Sequence, residues 1–275
     1  LTYSTYANWN TGTANQQTYI HRIHIENGQI NSNFTSGQVP GYVLNQFSMD
    51  EHNGYFRIAT TTGEVSRIGE STAQNHVYIL DSNMETVGKL ENLAPGEKIH
   101  SARFMGNRAY LVTFKKIDPL FVLDLTDPYA PKVLGELKIP GYSDYLHPYD
   151  ENHIIGVGKE TIEGEGGNFA WYQGIKISLF DVTDVYAPKE LAKYEIGDRG
   201  TDSPVLSDHK AFLFDKARNL LVIPVTVAQI DPSQYPGEVP AWAYGQPVWT
   251  GAYVFRISLE AGLEFRGGIT HVEGS

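Results

Sequence analysis

The sequence contains no cysteine, which excludes disulfides, thiolate-bound metals and cysteine nucleophiles together. It has no apolar run approaching the roughly 18 residues needed to cross a bilayer, so no membrane span is expected. Positive charge is scarce: 21 Lys and Arg stand against 32 Asp and Glu, a formal net charge of −11. A nucleic-acid partner is thereby disfavoured, because phosphate binding needs a basic surface. The same imbalance suits a well-solvated protein and permits cation binding. No nucleophile elbow, phosphate-binding loop or dinucleotide fingerprint occurs, so motifs alone leave open whether the chain is an enzyme.

What is present favours strands. Hydrophobic residues make up 41% of the chain, enough for a sizeable core, and 17 Tyr, 12 Phe and 27 Gly point to β-structure with many turns. Two segments repeat: Val122-Leu123-Asp124-Leu125-Thr126-Asp127-Pro128-Tyr129-Ala130-Pro131-Lys132 returns as Leu179-Phe180-Asp181-Val182-Thr183-Asp184-Val185-Tyr186-Ala187-Pro188-Lys189. Each pairs an apolar strand with an Asp-rich turn and a proline that stops the strand. Anchors at His24, Asp81, Asp124, Asp181 and Ile257 give spacings of 57, 43, 57 and 76 residues. The shortest matches the roughly 40–45 residues of a four-stranded propeller blade.

A second register agrees with the first. Polar turns at Asp50 to Gly54, Met105 to Asn107, Asp150 to Asn152 and Asp215 to Asn219 each precede an apolar strand, as in the hairpin between strands A and B of a blade. The expected fold is all-β, a propeller of four-stranded antiparallel blades. Its approximate units are 1–44 (a partial blade), 45–97, 98–143, 144–205 and 206–275, within one domain. The extra residues of the longer units fall at the junction of strands B and C: Thr61 to Asn75, Lys159 to Gly174 and about Val225 to Gly251. Insertions gathered on one face mark the expected binding surface. The opening Leu1-Thr2-Tyr3-Ser4 reads as the interior of a longer chain.

The chain resembles the secreted prokaryotic proteins that carry a C-terminal β-propeller distantly related to WD-repeats. The resemblance lies in Ser101-Ala102-Arg103-Phe104-Met105-Gly106, Leu137-Lys138-Ile139-Pro140-Gly141-Tyr142, Tyr145-Leu146-His147-Pro148, Ile196-Gly197-Asp198-Arg199-Gly200 and Asp208-His209-Lys210-Ala211-Phe212. It implies an exported propeller, extracellular or on the cell surface, and brings no activity to named residues. It also implies an incomplete portion of the propeller, because the family's domains extend beyond both ends of this chain. Remaining propeller segments, or another copy of the chain, are then expected partners.

Several groups are candidates for chemistry. Asp50-Glu51-His52 has the composition of a metal or acid–base cluster, yet it falls in an A–B turn, where ordinary turn residues suffice. The pairs Asp124/Asp127 and Asp181/Asp184 suit calcium, which takes carboxylate oxygens, but capping of Asx turns explains the same pattern. His100, His147 and His209 lie near the starts of A strands, which line the channel of a propeller. With Asp144 and Asp208 nearby, they are the candidate set for copper, zinc or a similar ion. Period-two parity puts His100 and His147 on one strand face and His209 on the other. Trp171, Tyr172, Trp242, Tyr244 and Trp249 lie in two B–C insertions and, with Tyr142, are expected to border one concave ligand-binding face.

Two functions remain. The first is a non-enzymatic extracellular binding or scaffolding propeller that holds a protein or glycan partner on the B–C face. The alternative is a metal-dependent enzyme, copper- or calcium-binding and of the oxidoreductase kind, with its ion at the channel mouth. Fold does not decide between them.

Overall fold

The computed structural model describes residues 2–5, 16–66, 70–114, 118–164 and 169–271, with the side chains of 3–5, 31–33 and 118 outside that set. The first sheet is β1 (Thr2–Thr5), β2 (Gln17–Glu26) and β3 (Gln29–Pro40). Four sheets of four strands follow. They are β4 (Met49–His52), β5 (Tyr55–Thr62), β6 (Gln74–Leu80) and β7 (Thr86–Leu93), then β8 (Lys98–Met105), β9 (Arg108–Phe114), β10 (Asp118–Asp124) and β11 (Lys132–Ile139). The fourth sheet is β12 (Tyr142–Asp150), β13 (His153–Glu163), β14 (Ala170–Asp181) and β15 (Lys189–Ile196). The fifth is β16 (Leu213–Asp215), β17 (Leu220–Gln229), β18 (Gln246–Ser258) and β19 (Gly262–Ile269). Strands adjacent in sequence are adjacent in each sheet, and every described register is antiparallel. The four A–B turns stand where the repeat placed them. The chain divides into two compact units, Leu1–Lys115 with Phe121–Leu134, and Lys116–Leu120 with Gly135–Ser275.

Inner strands such as β6, β9 and β14 read as largely apolar runs because both of their faces are covered, whereas β17 of the fifth sheet alternates buried and half-buried residues. In the second sheet Ile58, Tyr78 and Leu80 pack with Ile20 and Val39 of the first sheet. Their neighbours Ala59, Val77 and Ile79 pack the other way, with Ile99, Phe104, Leu111 and Leu123 of the third sheet. The last strand of the fourth sheet instead alternates: in β15 exposed Lys189, Leu191, Lys193 and Glu195 interleave with half-buried residues. Charge on such strands protects a sheet edge from unwanted pairing.

Local chemistry sets the turns. Asp124, Asp127, Asp181 and Asp184 each accept the backbone N–H two residues on, at 2.9, 2.9, 2.8 and 3.1 Å. Asp81 accepts from Asn83 and Glu85 in the same way, at 2.9 and 3.0 Å. These carboxylates thus act as Asx caps. A repeated backbone bond locks this end of the sheets. Leu125, Val182 and Ile257 donate to the carbonyls of Asn107, Asn152 and Asn219 at 2.8, 2.8 and 2.9 Å. At the other end, Pro40-Gly41-Tyr42 and Pro140-Gly141-Tyr142 cross beside the tips of the B strands, with Gly41 and Gly141 at φ +92° and +85°. Tyr42 exchanges backbone bonds with Thr61, and the Gly141 N–H reaches Thr161 Oγ1 at 2.9 Å. The buried Lys176 ammonium, 4% exposed, holds the Pro140 carbonyl at 2.5 Å and Glu190 at 3.2 Å.

The D strands carry a small residue where the next sheet's C–D turn approaches. A Cβ on Gly88 of β7 would meet the Pro128 carbonyl oxygen at 2.0 Å, and one on Gly135 of β11 would meet that of Val185 at 2.4 Å. Gly37 of β3 faces Met84 O at 2.3 Å in the same sense, and Ala192 of β15 faces Gly262. This recurrence, invisible in the strand-and-turn pattern, sets how closely successive sheets nest.

Candidate functional site

The Asp50-Glu51-His52 cluster is tied into structure. The Arg57 guanidinium, 2% exposed, forks onto Asp50 at 2.7 and 2.5 Å and donates to Gly106 O at 2.6 Å. Arg22 pairs with Glu51, and His52 Nε2 lies 3.1 Å from Asn107 Oδ1. In the second compact unit His153 sits between two carboxylates, with Nδ1 2.7 Å from Asp150 and Nε2 3.8 Å from Asp181. Burial raises the Asp150 carboxyl, but the Asn152 amide, His153 and Lys216 together hold it below its ordinary value. The Thr183 hydroxyl and amide, aided by His153 and Lys189, hold Asp181 low as well.

The three histidines are placed differently from one another. His100 lies in β8, its ring edge-on to Phe114 with centroids 5.6 Å apart. His147 and His209 both approach Tyr145. The Tyr145 hydroxyl is 2.9 Å from His147 Nδ1, and the His209 ring stacks on Tyr145 with centroids 6.4 Å apart. His209 is not on a strand. It opens a 3-10 turn (His209–Ala211) capped by Asp208, whose Oδ1 accepts from Lys210 N at 3.0 Å. The parity that separated His209 from His147 therefore does not apply, because strand alternation governs only extended backbone. Phe212 follows, with centroids 5.2 Å from Tyr145 and 4.8 Å from His147. Asp144 bears on Lys159, whose ammonium is pushed below the usual lysine value by burial and by Arg199, against Asp202 and Asp144. Among the described residues, no three His, Asp or Glu side chains gather as a metal would require.

The aromatic set converges in part, around a residue that the aromatic pattern did not single out. The B–C insertions of the last two sheets are largely extensions of β13–β14 and β17–β18, which pair out to Glu163–Ala170 and Gln229–Gln246. Projecting aromatics thus stand on hydrogen-bonded ladders. Arg199, in the connection from β15 to β16, places its guanidinium carbon 5.0 Å from the Trp171 ring centre and 5.5 Å from that of Tyr244. Its Nη1 donates to Tyr172 O at 2.9 Å, and its carbonyl accepts from Gly245 N at 2.7 Å. Tyr142 packs edge-on to Tyr172 at 5.2 Å. The sequence marks Arg199 only as a cation beside glycines within the resemblance stretch Ile196-Gly197-Asp198-Arg199-Gly200, with nothing that points to its aromatic partners.

Trp242 and Trp249 part company. Trp242, 55% exposed, meets Tyr235 edge-on at 6.1 Å. Trp249, on β18, lies across its own sheet: its ring is 2.6 Å from where a Cβ on Gly251 would stand and 2.7 Å from one on Gly268, and Tyr253 is at 4.9 Å. Trp242→Ala is therefore expected to leave the melting temperature unchanged. Trp249→Ala should cost about 1.5–2.5 kcal/mol, half the value for a fully buried Trp. Thermal unfolding of both variants checks this, and equal melting temperatures would overturn it.

A family model described as "Beta propeller domain" matches residues 1–275. An uncharacterised protein of Methanocaldococcus jannaschii is 45% identical over 209 residues, 76% of this chain and 31% of the relative. One from Archaeoglobus fulgidus is 40% identical over 220 residues, 80% of this chain and 32% of the relative. The chain thus spans about a third of the length of these curated relatives. Among solved structures, it is similar to the beta-propeller domain of the Trilobed protease from Pyrococcus furiosus, with a TM-score of 0.39 and 12% identity over 83% of this chain and 59% of that one. That likeness is too distant to bear on function. With its whole length matched and its sheets built as successive antiparallel blades, the protein belongs to the Beta propeller domain family.

Proposed function

We propose that the chain is a non-enzymatic binding or scaffolding part of an extracellular or cell-surface protein. It holds a protein or glycan partner on the end of the blades where the B–C hairpins project. The observation that carries this is Arg199 lodged against Trp171 and Tyr244, with Tyr172 40% and Tyr244 63% exposed. Aromatic and Arg side chains are the anchors that dominate binding surfaces. A guanidinium already stacked on rings loses little freedom when a partner arrives. The resemblance to exported propellers supports the location. Remaining propeller segments or a second copy are further partners on this reading, as the resemblance to the longer exported propellers implies.

Binding of the purified protein to arrays of immobilised peptides and glycans tests the proposal. Arg199→Ala should weaken retention by roughly thirtyfold, the equivalent of about 2 kcal/mol for an anchor. Unchanged retention, or no retained ligand at all, overturns it.

A further inference from the structure

Beside Tyr244 the B–C insertion of the last sheet forms a cleft of about 460 Å³, within the size range of small-ligand sites. Its walls are Gln229 at the end of β17, Asp231, Gln234 and Tyr235 of the connection, and Tyr244 and Gln246 leading into β18. Gln229 and Gln246 are direct partners across the ladder, so their carboxamides leave the same side of the sheet. Asp231 Oδ1 accepts from Ser233 N and Oγ at 3.0 and 2.6 Å, and its Oδ2 lies 3.3 Å from Gln234 Nε2. That contact orients the third carboxamide.

We propose that this cleft is a subsite for an uncharged sugar ring of a glycan, a proposal that rests on the B–C face being the binding surface. Three carboxamides each offer a donor and an acceptor, as neighbouring hydroxyls of a sugar require. Two tyrosine rings offer flat apolar planes for its C–H face. The lining includes the Asp231 carboxylate and no Lys, Arg or His, which disfavours acidic sugars and acidic peptides. The walls are also set in advance. Asp198 Oδ2 accepts from Ile230 N at 2.8 Å, fixing the start of the connection. Arg199 and Gly200 back Tyr244, where a Cβ on Gly200 would be 2.8 Å from the ring. Arg199 is accordingly a positioning residue for this subsite.

The test uses the purified protein against an array of neutral, acidic and amino-sugar oligosaccharides, with tetramethylammonium as a cationic competitor. Neutral oligosaccharides should be retained, uncompeted by the cation. Tyr244→Ala and Gln246→Ala should each weaken binding about tenfold, as loss of one stacking plane or one carboxamide predicts. Both residues are exposed, so the melting temperature should not move. Retention of acidic glycans only, competition by tetramethylammonium, or no retention overturns the proposal. So does neutral-sugar binding that survives both substitutions. A peptide ligand lost in Arg199→Ala but kept in Tyr244→Ala and Gln246→Ala would sink the sugar subsite while leaving the binding face standing.

Discussion

Arg57→Ala should destabilise the protein by about 3 kcal/mol, the lower end of the range for breaking a buried ion pair. The guanidinium sits on an inner strand, 2% exposed, and satisfies both Asp50 oxygens and the Gly106 carbonyl. It also lies 5.3 Å from the Phe104 ring centre. Its removal strips three acceptors of their donors and leaves a void between the turns of two sheets. The expected value stays at the lower end because the Asp50 side chain is 31% exposed and can regain water. Asp50→Asn should be comparably harmful, since it leaves the buried Arg57 cation without its counter-charge. The double variant should cost clearly less than the sum of the two, the signature of coupled partners. Denaturant unfolding of the three variants measures this. A loss below about 1 kcal/mol for Arg57→Ala would show that the fork contributes little.

Gly88→Val should be at least as damaging, costing about 3 kcal/mol or preventing folding, and Gly88→Ala should cost about 1–3 kcal/mol. The obstacle is the Pro128 carbonyl oxygen, 2.0 Å from an ideal Cβ. A main-chain atom held in a hydrogen-bonded turn cannot swing aside as a side chain can. The second and third sheets must therefore part, and the packing of Val77 and Ile79 against Leu111 and Leu123 loosens with them. Gly54 is the control. It has φ +83° and nothing within 4 Å of an added Cβ, so Gly54→Ala should cost only about 1 kcal/mol, from backbone strain. If Gly88→Ala proves no worse than Gly54→Ala, the close approach is not what limits the spacing of the sheets.

The sequence by itself determined the parts that depend on near neighbours. Strand alternation, Asx turns and strand-ending prolines act within a few residues. The repeat of Asp124 and Asp181, the four A–B turns and the B–C position of the insertions were therefore legible. Even the unbroken apolar runs at Val77 to Leu80 and Leu120 to Leu123 said that both faces of these inner strands are covered. Only the tertiary structure decided what covers them. Arg57 reads as an exposed strand residue until Asp50 and the Gly106 carbonyl close on it. Gly88 and Gly135 read as weak points in a strand until the Pro128 and Val185 carbonyls arrive. Arg199 meets Trp171 and Tyr244 from 28 and 45 residues away in the chain. Trp249, grouped with Trp242 by proximity in sequence, turns onto Gly251 and Gly268 instead. Periodicity tells which side of a strand a residue leaves. It carries no information on which other strand, turn or guanidinium will be waiting there.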